Sequence, residues 1–329
     1  MISVAMASYN GEKYIRKQLD SILNQTLKVD EIVIVDDQSV DQTVSVVKEI
    51  IKENPSISIQ LFENPENVGY KKNFRNAMSH CQGDYVFLCD QDDYWEANKV
   101  ETMIHIMESN EKIMALASSF SFIDQENVPF EVEQVPGLSN NNLLRRVVEP
   151  GKLVEITFDE FCIQNSFQGC ALCITKEMNS IFLNCFTDEI FHDWLLNLLA
   201  SERQGMYFYN VPLFRYRIHG NNTIGINEQE HLNTKDRLKK TSTLHIRTEF
   251  AKQCVGSIKV LEKVDKDLLK YQPDCLKKKD FYEKHILYLE QGHPLKLLLQ
   301  NKCPYYKIIK TNKARIMDIF IACKRKFFK

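Results

Sequence analysis

The length, composition and charge of the chain limit the classes of protein it can belong to. Its 329 residues, 44% of them hydrophobic, suffice for one large domain or for one domain with an appendage. A formal net charge of −2 argues against a dedicated nucleic-acid-binding protein. No apolar run approaches the roughly 20 residues of a membrane span, and we find no signal peptide. The ten scattered cysteines are typical of buried, reduced thiols, so we expect a cytoplasmic protein.

The first part of the chain alternates short apolar runs with segments of helical periodicity. The runs at 2–7, 32–35, 57–62 and 85–88 predict buried strands, and apolar side chains at helical spacing follow each of them. Strands that alternate with helices of this length imply right-handed crossovers. The pattern therefore predicts an α/β fold with a mainly parallel sheet flanked by helices.

A change in periodicity divides the chain into two expected regions. Residues 1–225 carry the strand–helix alternation, whereas residues 226–329 show helical spacing only and predict a helical extension. Within the first region, the polar, turn-rich segment 124–152 is interpreted as an irregular excursion that shapes substrate preference. The loop 220–225 begins and ends with glycine, and we expect it to close over a bound ligand.

Polar turns follow three of the predicted strands at their carboxyl ends. The turns are Ser8–Gly11, Asp36–Asp37 and Asp90–Asp93. Because the carboxyl ends of parallel strands emerge at one edge of a sheet, we expect the three turns to form one ligand site. The first turn has neither a GxGxxG pattern nor a Walker lysine, which disfavours dinucleotide and P-loop sites.

The third of these turns contains three closely spaced carboxylates, Asp90, Asp92 and Asp93. Like charges this close repel one another, so the pattern predicts either a solvated acidic turn or a bound cation. Oxygen ligands favour Mg²⁺ or Mn²⁺ over Zn²⁺. The residues alone leave both interpretations open.

Three further patterns in the second half suggest functional side chains. The run 167–174 predicts a strand entered through Gly169, a glycine that either admits a ligand or marks a bulge. Asp193 opens an apolar helix, where a helix cap is the favoured interpretation from sequence alone. Arg215, Arg217 and His219 alternate with apolar residues and so share one strand face, which suits a diphosphate or a structural role equally well.

Four motifs, taken in chain order, resemble those of the inverting glycosyltransferases of family 2, which have the GT-A fold. The motifs are Ser8–Gly11, Val35–Ser39, Asn67–Gly69 and Phe87–Trp95. The resemblance covers residues 1 to about 225, and the Asp-Gln-Asp-Asp run followed by tryptophan is most similar to the rhamnosyltransferase-like branch. It implies a nucleoside diphosphate sugar donor and a Mn²⁺ or Mg²⁺ cofactor.

The resemblance also implies roles for individual residues. Asp37 would accept a hydrogen bond from the pyrimidine N3–H, Asp90 would face the ribose and Asp92 would ligate the metal. Asp90 and His219 would lie beside that metal, and Asp193 would be the catalytic base rather than a cap. The other implied donor-binding residues are Ser8, Tyr9, Asn10, Glu12, Asn67, Gly69, Asn73, Arg215 and Arg217. The implied acceptor-side residues are Gln168, Gly169, His192 and Trp95.

Together these implications predict a metal-dependent inverting transferase. The best-matching donor is dTDP-L-rhamnose, and the acceptor is a growing surface polysaccharide or a lipid-linked oligosaccharide. UDP-galactose and UDP-N-acetylglucosamine are alternative donors. A nucleotidyltransferase and a non-catalytic nucleotide-sugar-binding subunit are the alternatives from other classes. Where many family members have an arginine this chain has Phe74, so the donor contact at that position is open.

The end of the chain is basic and amphipathic. A basic segment with an apolar face suits an anionic membrane, which would place the protein on the inner face of the plasma membrane. A helix that packs on its own domain explains the pattern equally well. Residues 301–329 carry Lys302, Lys307, Lys310, Lys313, Arg315, Lys324, Arg325, Lys326 and Lys329 against the single acid Asp318.

Overall fold

The computed structural model describes residues 1–132, 144–219 and 243–327. The loop 220–225, which we expect to close over a ligand, lies outside these residues. The stretch 133–143 of the polar excursion also lies outside them. No role of either segment is therefore tested by the structure.

The chain forms two compact units that each have their own internal contacts. One unit contains residues 1–157 and 165–226, and the other contains residues 158–164 and 227–329. The short segment 158–164 is thus distant in sequence from the rest of its unit. The domain boundary expected at residue 225 stays a prediction.

The first unit is built on one mixed sheet, to which the described residues contribute ten strands in the order β3-β2-β1-β4-β9-β6-β10-β5, with β7 beside β6 and β8 beside β10. The pairs of β1 with β2, β1 with β4, and β2 with β3 are parallel, and so is that of β6 with β10. The prediction of a mainly parallel sheet is confirmed. The strands are β1 (Ile2–Ser8), β2 (Glu31–Asp36), β3 (Ser58–Glu63), β4 (Tyr85–Asp90), β5 (Tyr94–Trp95), β6 (Ala115–Ile123), β7 (Pro129–Phe130), β8 (Leu153–Glu155), β9 (Leu172–Thr175) and β10 (Met206–Arg217).

Helices connect the parallel strands because each carries one apolar stripe that packs on the sheet. In α1, for example, Ile15, Leu19 and Ile22 have no exposed surface. The helices of the first unit are α1 (Ile15–Leu23), α2 (Thr43–Glu53), α3 (Tyr70–His80), α4 (Lys99–Ser109), α6 (Lys176–Cys185) and α7 (His192–Glu202).

The strand predicted over 167–174 is shorter than expected. Residues Gly169–Ala171 form one turn of 3-10 helix, in which the Ala171 N–H donates to the Gln168 carbonyl, and β9 begins only at Leu172. Gly169 is therefore neither a strand entry nor a bulge. The apolar run of this segment reflects burial of both the turn and the strand, which periodicity cannot distinguish.

The second unit is helical, which confirms the predicted helical C-terminal part. The carboxylate of Asp318 lies at its centre without exposed surface, where it accepts hydrogen bonds from Arg247 Nε (2.6 Å) and Tyr306 Oη (2.8 Å). No helix among the described residues is long and apolar enough to cross a membrane. The helices are α5 (Phe158–Ile163), α8 (Leu244–Val264), α9 (Leu268–Tyr271), α10 (Cys275–Gln291), α11 (Pro294–Gln300), α12 (Pro304–Ile309) and α13 (Asn312–Phe327).

Candidate active site

A cavity of about 910 Å³ lies at the carboxyl edge of the sheet and brings most of the predicted residues together. This is the edge at which the turns after β1, β2 and β4 emerge, as the parallel arrangement requires. The predicted residues that line it are Ser8, Tyr9, Asn10, Asp37, Asn67, Gly69, Asn73, Asp90, Asp92, Gln168, Gly169, His192, Asp193 and His219. Glu12, Trp95, Arg215 and Arg217 do not line it.

The turn after β1 is held by hydrogen bonds to the turn after β2. Asn10 has a φ of +49°, a left-handed conformation that asparagine tolerates better than most residues. Its N–H donates to Ser39 Oγ (2.8 Å), and its Oδ1 accepts from the Val40 N–H (2.9 Å). The backbone N–H and the side-chain oxygen of Asn10 are therefore both hydrogen-bonded within the protein.

Gln91 clamps the same turn from the other side, a role that the sequence analysis missed. Its Oε1 accepts from the Tyr9 N–H (2.9 Å), and its Nε2 donates to the Tyr9 carbonyl (2.8 Å). A Cβ on Gly11 would lie 2.1 Å from Gln91 Oε1, so a side chain there would displace the clamp. The only sequence signal for Gln91 was its position between two carboxylates.

Asp37 is buried and anchored by backbone amides of the turn before α3. Its Oδ2 accepts from the Gly69 N–H (2.8 Å), and its Oδ1 accepts from the Val68 N–H (2.9 Å) and Asn64 Nδ2 (2.8 Å). Asn67 Nδ2 donates to the Asp37 carbonyl (2.9 Å). A carboxylate oxygen has two lone pairs, so Oδ2 can accept one further hydrogen bond from a ligand.

Ser8 and Asn73 line the cavity but direct their polar atoms into the protein. Ser8 Oγ donates to Asp36 Oδ2 (2.9 Å), and Asn73 Nδ2 donates to the carbonyls of Val35 (2.9 Å) and Ser8 (3.3 Å). Asn64 Nδ2 donates to Asn73 Oδ1 (2.9 Å). Both residues thus position the strand ends that carry the site.

The acidic turn after β4 holds its carboxylates in a desolvated environment. Burial, followed by the neighbouring Asp92 carboxylate, raises the pKa of Asp90 to about 7. Burial, followed by the carboxylates of Asp92 and Asp90, raises the pKa of Asp93 well above its ordinary value. The Arg217 N–H donates to Asp93 Oδ1 (3.1 Å). Crowded, buried carboxylates of this kind are what a bound cation would stabilise.

Two sets of ligand atoms could hold that cation. His219 Nε2 lies 2.8 Å from Asp92 Oδ2, and both side chains line the cavity beside Asp90. The other set, Asp90, Asp93 and Cys170, has its ligand atoms within 4.8 Å of one another. Burial raises the pKa of the Cys170 thiol, and a protonated, soft sulfur is a poor ligand for Mg²⁺ or Mn²⁺. By the type of ligand atom, Asp92, Asp90 and His219 suit these ions better, whereas the set whose ligand atoms lie mutually close is Asp90, Asp93 and Cys170.

The basic strand β10 does not form the predicted three-residue cradle. Arg215 Nε and Nη2 donate to the Glu96 carboxylate (2.6 and 3.2 Å) outside the cavity. Arg217 has no exposed surface, and it donates to the carbonyls of Asp92 (2.6 Å) and Asp124 (3.0 Å). The structure therefore gives Arg217 a positioning role at the acidic turn, because the buried carbonyls there need donors.

Trp95 and Lys99 lie beneath the acidic turn. Trp95 was predicted to lie on the acceptor side, and no role was predicted for Lys99. Trp95 is 1% exposed, and its ring packs against Phe87 because β5 pairs with β10 and turns the ring into the core. Lys99 is buried with Nζ 4.3 Å from the Trp95 ring centroid, and it donates to the Cys170 carbonyl (2.7 Å). Burial lowers the pKa of Lys99 to about 8.

Glu12 also lies outside the cavity. Its Oε2 accepts from the Gln42 N–H (2.8 Å) immediately before α2. The first amides of a helix lack partners within the helix, which explains why a carboxylate is held there. The predicted donor contact of Glu12 is not supported by this position.

Asp193 lies in the first turn of α7, and the residue at the cap position is Phe191. Asp193 is 6% exposed, and its Oδ1 accepts from the Trp194 N–H (2.7 Å). Burial raises the pKa of Asp193 to about 6, outweighing the hydrogen bonds from Trp194, Asn165 and the Gly169 backbone. The carboxyl therefore remains mostly ionised at neutral pH.

Comparison with known proteins shows the family. Residues 3–164 match the model of glycosyl transferase family 2. A relative from Shigella flexneri described as dTDP-rhamnosyl transferase RfbG is 30% identical over 233 residues, which cover 68% of this chain and 74% of that protein. The chain belongs to glycosyltransferase family 2. It is accordingly an enzyme that transfers sugars, which disfavours the nucleotidyltransferase and non-catalytic alternatives.

Solved structures show that this family 2 enzyme has the GT-A fold. Residues 1–349 of S. aureus TarS in complex with UDP-GlcNAc superpose with a TM-score of 0.53 at 15% identity, covering 99% of this chain and 91% of that chain. The mannosyltransferase PcManGT from Pyrobaculum calidifontis, in complex with GDP-Man and Mn²⁺, gives 0.51 at 17% identity, covering 100% and 87%. The predicted family and fold are both confirmed.

The Gln91 clamp can be tested by amide exchange. Replacing Gln91 with leucine removes both hydrogen bonds to Tyr9, and we expect the Tyr9 amide to exchange about tenfold faster by NMR. The Asp37 amide, which donates to the Ser8 carbonyl (2.9 Å) at the same sheet edge, is the internal control and should keep its rate. Unchanged exchange at Tyr9 would show that the clamp does not order the turn.

Proposed function

We propose that this glycosyltransferase moves L-rhamnose from dTDP-L-rhamnose to a hydroxyl of a growing surface polysaccharide or a lipid-linked oligosaccharide, with inversion. The observation that carries the proposal is the position of Asp193, a buried carboxylate in the same cavity as Asp37, Asp90 and Asp92. The similarity to a protein described as a dTDP-rhamnosyl transferase supports the choice of sugar.

The donor nucleotide would lie across the turns after β1 and β2. Asp37 Oδ2 would accept a hydrogen bond from the pyrimidine N3–H, while the clamped turn of Tyr9 would flank the base. Thymine and uracil both carry this N3–H, so Asp37 selects pyrimidines of this type without distinguishing dTDP from UDP. UDP-galactose and UDP-N-acetylglucosamine are therefore the alternative donors.

Asp92, Asp90 and His219 would hold a Mn²⁺ or Mg²⁺ ion at the acidic turn. Such an ion would neutralise the charge that develops on the departing nucleoside diphosphate. Arg217 would keep this turn in place through the Asp92 carbonyl, and Lys99 would place a positive charge beneath it. Asn67 and Gly69 would contribute to the donor side through their anchoring of Asp37.

Asp193 would act as the general base on the opposite side of the cavity. It would accept the proton of the acceptor hydroxyl while the oxygen attacks the anomeric carbon from the face opposite the leaving diphosphate. A pKa of about 6 suits this role, since the carboxylate is ionised at neutral pH yet more basic than an exposed one. Gln168 and Gly169 line the same side of the cavity and would contact the acceptor.

Replacing Asp193 with asparagine removes the base while preserving its shape. We expect the transfer rate to fall by about 10²–10⁴-fold, with nucleotide binding largely intact. In the wild-type enzyme, kcat/KM should fall about tenfold per pH unit below about pH 6, because protonation removes the active form. Undiminished turnover in Asp193→Asn would exclude this residue as the base.

Ligand-dependent thermal stability distinguishes the donors. At a hundredfold excess over the dissociation constant, a ligand stabilises the protein by about 2.7 kcal/mol. We expect Mn²⁺-dependent shifts with dTDP and dTDP-rhamnose, and loss of the metal-dependent part in Asp92→Asn. Shifts with UDP-sugars alone would move the assignment to the alternative donors. No shift with any nucleotide would contradict the donor site.

A surface of the second unit supports peripheral contact with an anionic membrane, where a lipid-linked acceptor would be met. Large apolar side chains of α11 and α13 are 55–71% exposed, although the two helices pack together through Leu297 and Ala322. The only acid in 294–327 is Asp318, which is buried. We call this surface the basic apolar face; its apolar members are Leu295, Leu298, Leu299, Ile316 and Phe320, and its exposed cations include Lys296, Lys302, Lys307, Lys313, Lys324 and Lys326.

The charge of the basic apolar face favours an anionic partner. Two copies of this lysine-rich face would repel each other, whereas anionic lipid headgroups would attract the lysines and admit the apolar side chains. We therefore propose that the protein binds the inner face of the plasma membrane without crossing it.

Vesicle sedimentation tests this contact with a matched pair at one exposed site. We expect binding to anionic phosphatidylglycerol vesicles, little binding to phosphatidylcholine, and release by salt. Phe320→Ser should weaken vesicle binding about tenfold, because the ring that would insert into the lipid is lost. Phe320→Trp should retain binding. Equal binding of the two variants, or equal binding to both lipids, would contradict the proposal.

A further inference from the structure

His192 is a buried imidazole in the wall of the cavity, beside the candidate base. It is 5% exposed at the start of α7. Its ring stacks on Phe74 with centroids 4.2 Å apart and an interplanar angle of 15°, and the Tyr70 ring lies edge-on at 6.1 Å. The stacking on Phe74 fixes the plane of the imidazole.

Neither nitrogen of this ring has a hydrogen-bond partner among the described residues. A buried polar group without a partner destabilises the folded state, and buried polar groups of native proteins are generally paired. The stacking contacts use only the faces of the ring, so they leave both buried nitrogens at its edge unpaired. This arrangement points to a ligand that supplies the missing hydrogen bonds.

The charge state of His192 restricts the chemistry of that ligand. Burial, followed by the nearby Lys71 ammonium, lowers the pKa of His192 to about 3, so the ring is neutral. A neutral imidazole offers one N–H donor and one acceptor nitrogen. A diphosphate needs donors or cations rather than an acceptor, so it matches a neutral imidazole poorly. A hydroxyl group, which both donates and accepts, matches the neutral ring.

Gly169 packs against the edge of the ring and leaves no side chain between the ring and the cavity. A Cβ at this position would lie 2.9 Å from His192 Nε2 and 3.9 Å from Asp193 Cβ. Any larger residue would therefore fill the space between the imidazole and the cavity. His192, Gly169 and Asp193 all line the cavity, so a group bound to the imidazole would also lie near the candidate base.

We propose that His192 binds a saccharide hydroxyl and thereby orients a sugar for the attack assisted by Asp193. The inference rests on the proposed sugar transfer and adds a specificity determinant to it. The hydroxyl belongs either to the sugar of the donor or to that of the acceptor, since both meet at the candidate base. The two sources share one chemistry and are separated by experiment.

Two variants of equal shape isolate the polar contribution of the imidazole. Glutamine and methionine have similar length and volume, but only glutamine carries a donor and an acceptor near the position of Nε2. Both lose the ring that stacks on Phe74, so any packing effect is common to the pair. Thermal unfolding of both variants and of the wild-type enzyme measures that common effect.

We expect His192→Met to have a kcat/KM about tenfold below that of His192→Gln, because one neutral hydrogen bond is lost. Monodeoxy sugars identify the source. Removal of the bound hydroxyl should cost the wild-type enzyme and the glutamine variant about tenfold and should cost the methionine variant nothing. A donor hydroxyl also changes donor affinity measured without acceptor, whereas an acceptor hydroxyl changes only the KM for the acceptor.

The outcomes separate this inference from the function on which it rests. If the wild-type enzyme transfers sugar and the two variants are equally impaired, the role of His192 is overturned while the proposed function stands. The same conclusion follows if every deoxy sugar affects the wild-type enzyme and His192→Met alike. If the wild-type enzyme transfers from no nucleotide sugar, the proposed function fails and takes this inference with it.

Discussion

The structure depends on how the acidic turn after β4 tolerates burial of its carboxylates. Desolvation and mutual repulsion raise the pKa of Asp90 to about 7, and they also raise the pKa of Asp93 well above its ordinary value. Buried charges are tolerated only when hydrogen bonds or opposite charges compensate them. Here Arg217 binds the backbone of the turn, and Lys99 lies buried beneath it. A divalent cation bound at this turn would add to that compensation and favour the ionised carboxylates.

Side-chain to backbone hydrogen bonds connect the acidic turn to the other turns of the sheet edge. The Gln91 side-chain amide accepts a hydrogen bond from the Tyr9 N–H, and the Asp37 carboxylate accepts hydrogen bonds from the backbone amides that precede α3. Asn73 joins the ends of β1 and β2. Because these bonds cross between strands, the positions of the candidate donor-binding residues are set before a ligand arrives. A site organised in this way loses little entropy when it binds.

Two pairs of residues that line the cavity differ in their electrostatics. Asp92 and His219 form a polar pair suited to a cation and a diphosphate. Asp193 and His192 occupy a drier wall, where burial raises the pKa of the carboxyl to about 6 and lowers that of the imidazole to about 3. Titratable groups whose environments push their pKa values apart are typical of acid–base sites. The neutral imidazole beside an ionised carboxylate is the pair that the proposed contact with a sugar hydroxyl would use.

The sequence by itself determined the α/β class, the shared edge of the turns and the residues that follow each strand, because periodicity and parallel topology are local consequences of side-chain order. Only the tertiary structure decided which of those side chains face the cavity. The ring of Trp95 packs into the core, and the Arg217 guanidinium donates hydrogen bonds to backbone carbonyls. The partners of both residues come from distant segments of the chain. Gln91 and Lys99 belong to no recognisable sequence motif. Their roles can be assigned only from the backbone groups that they contact in the structure. The pKa of Asp193 likewise follows from burial, which a linear sequence does not contain.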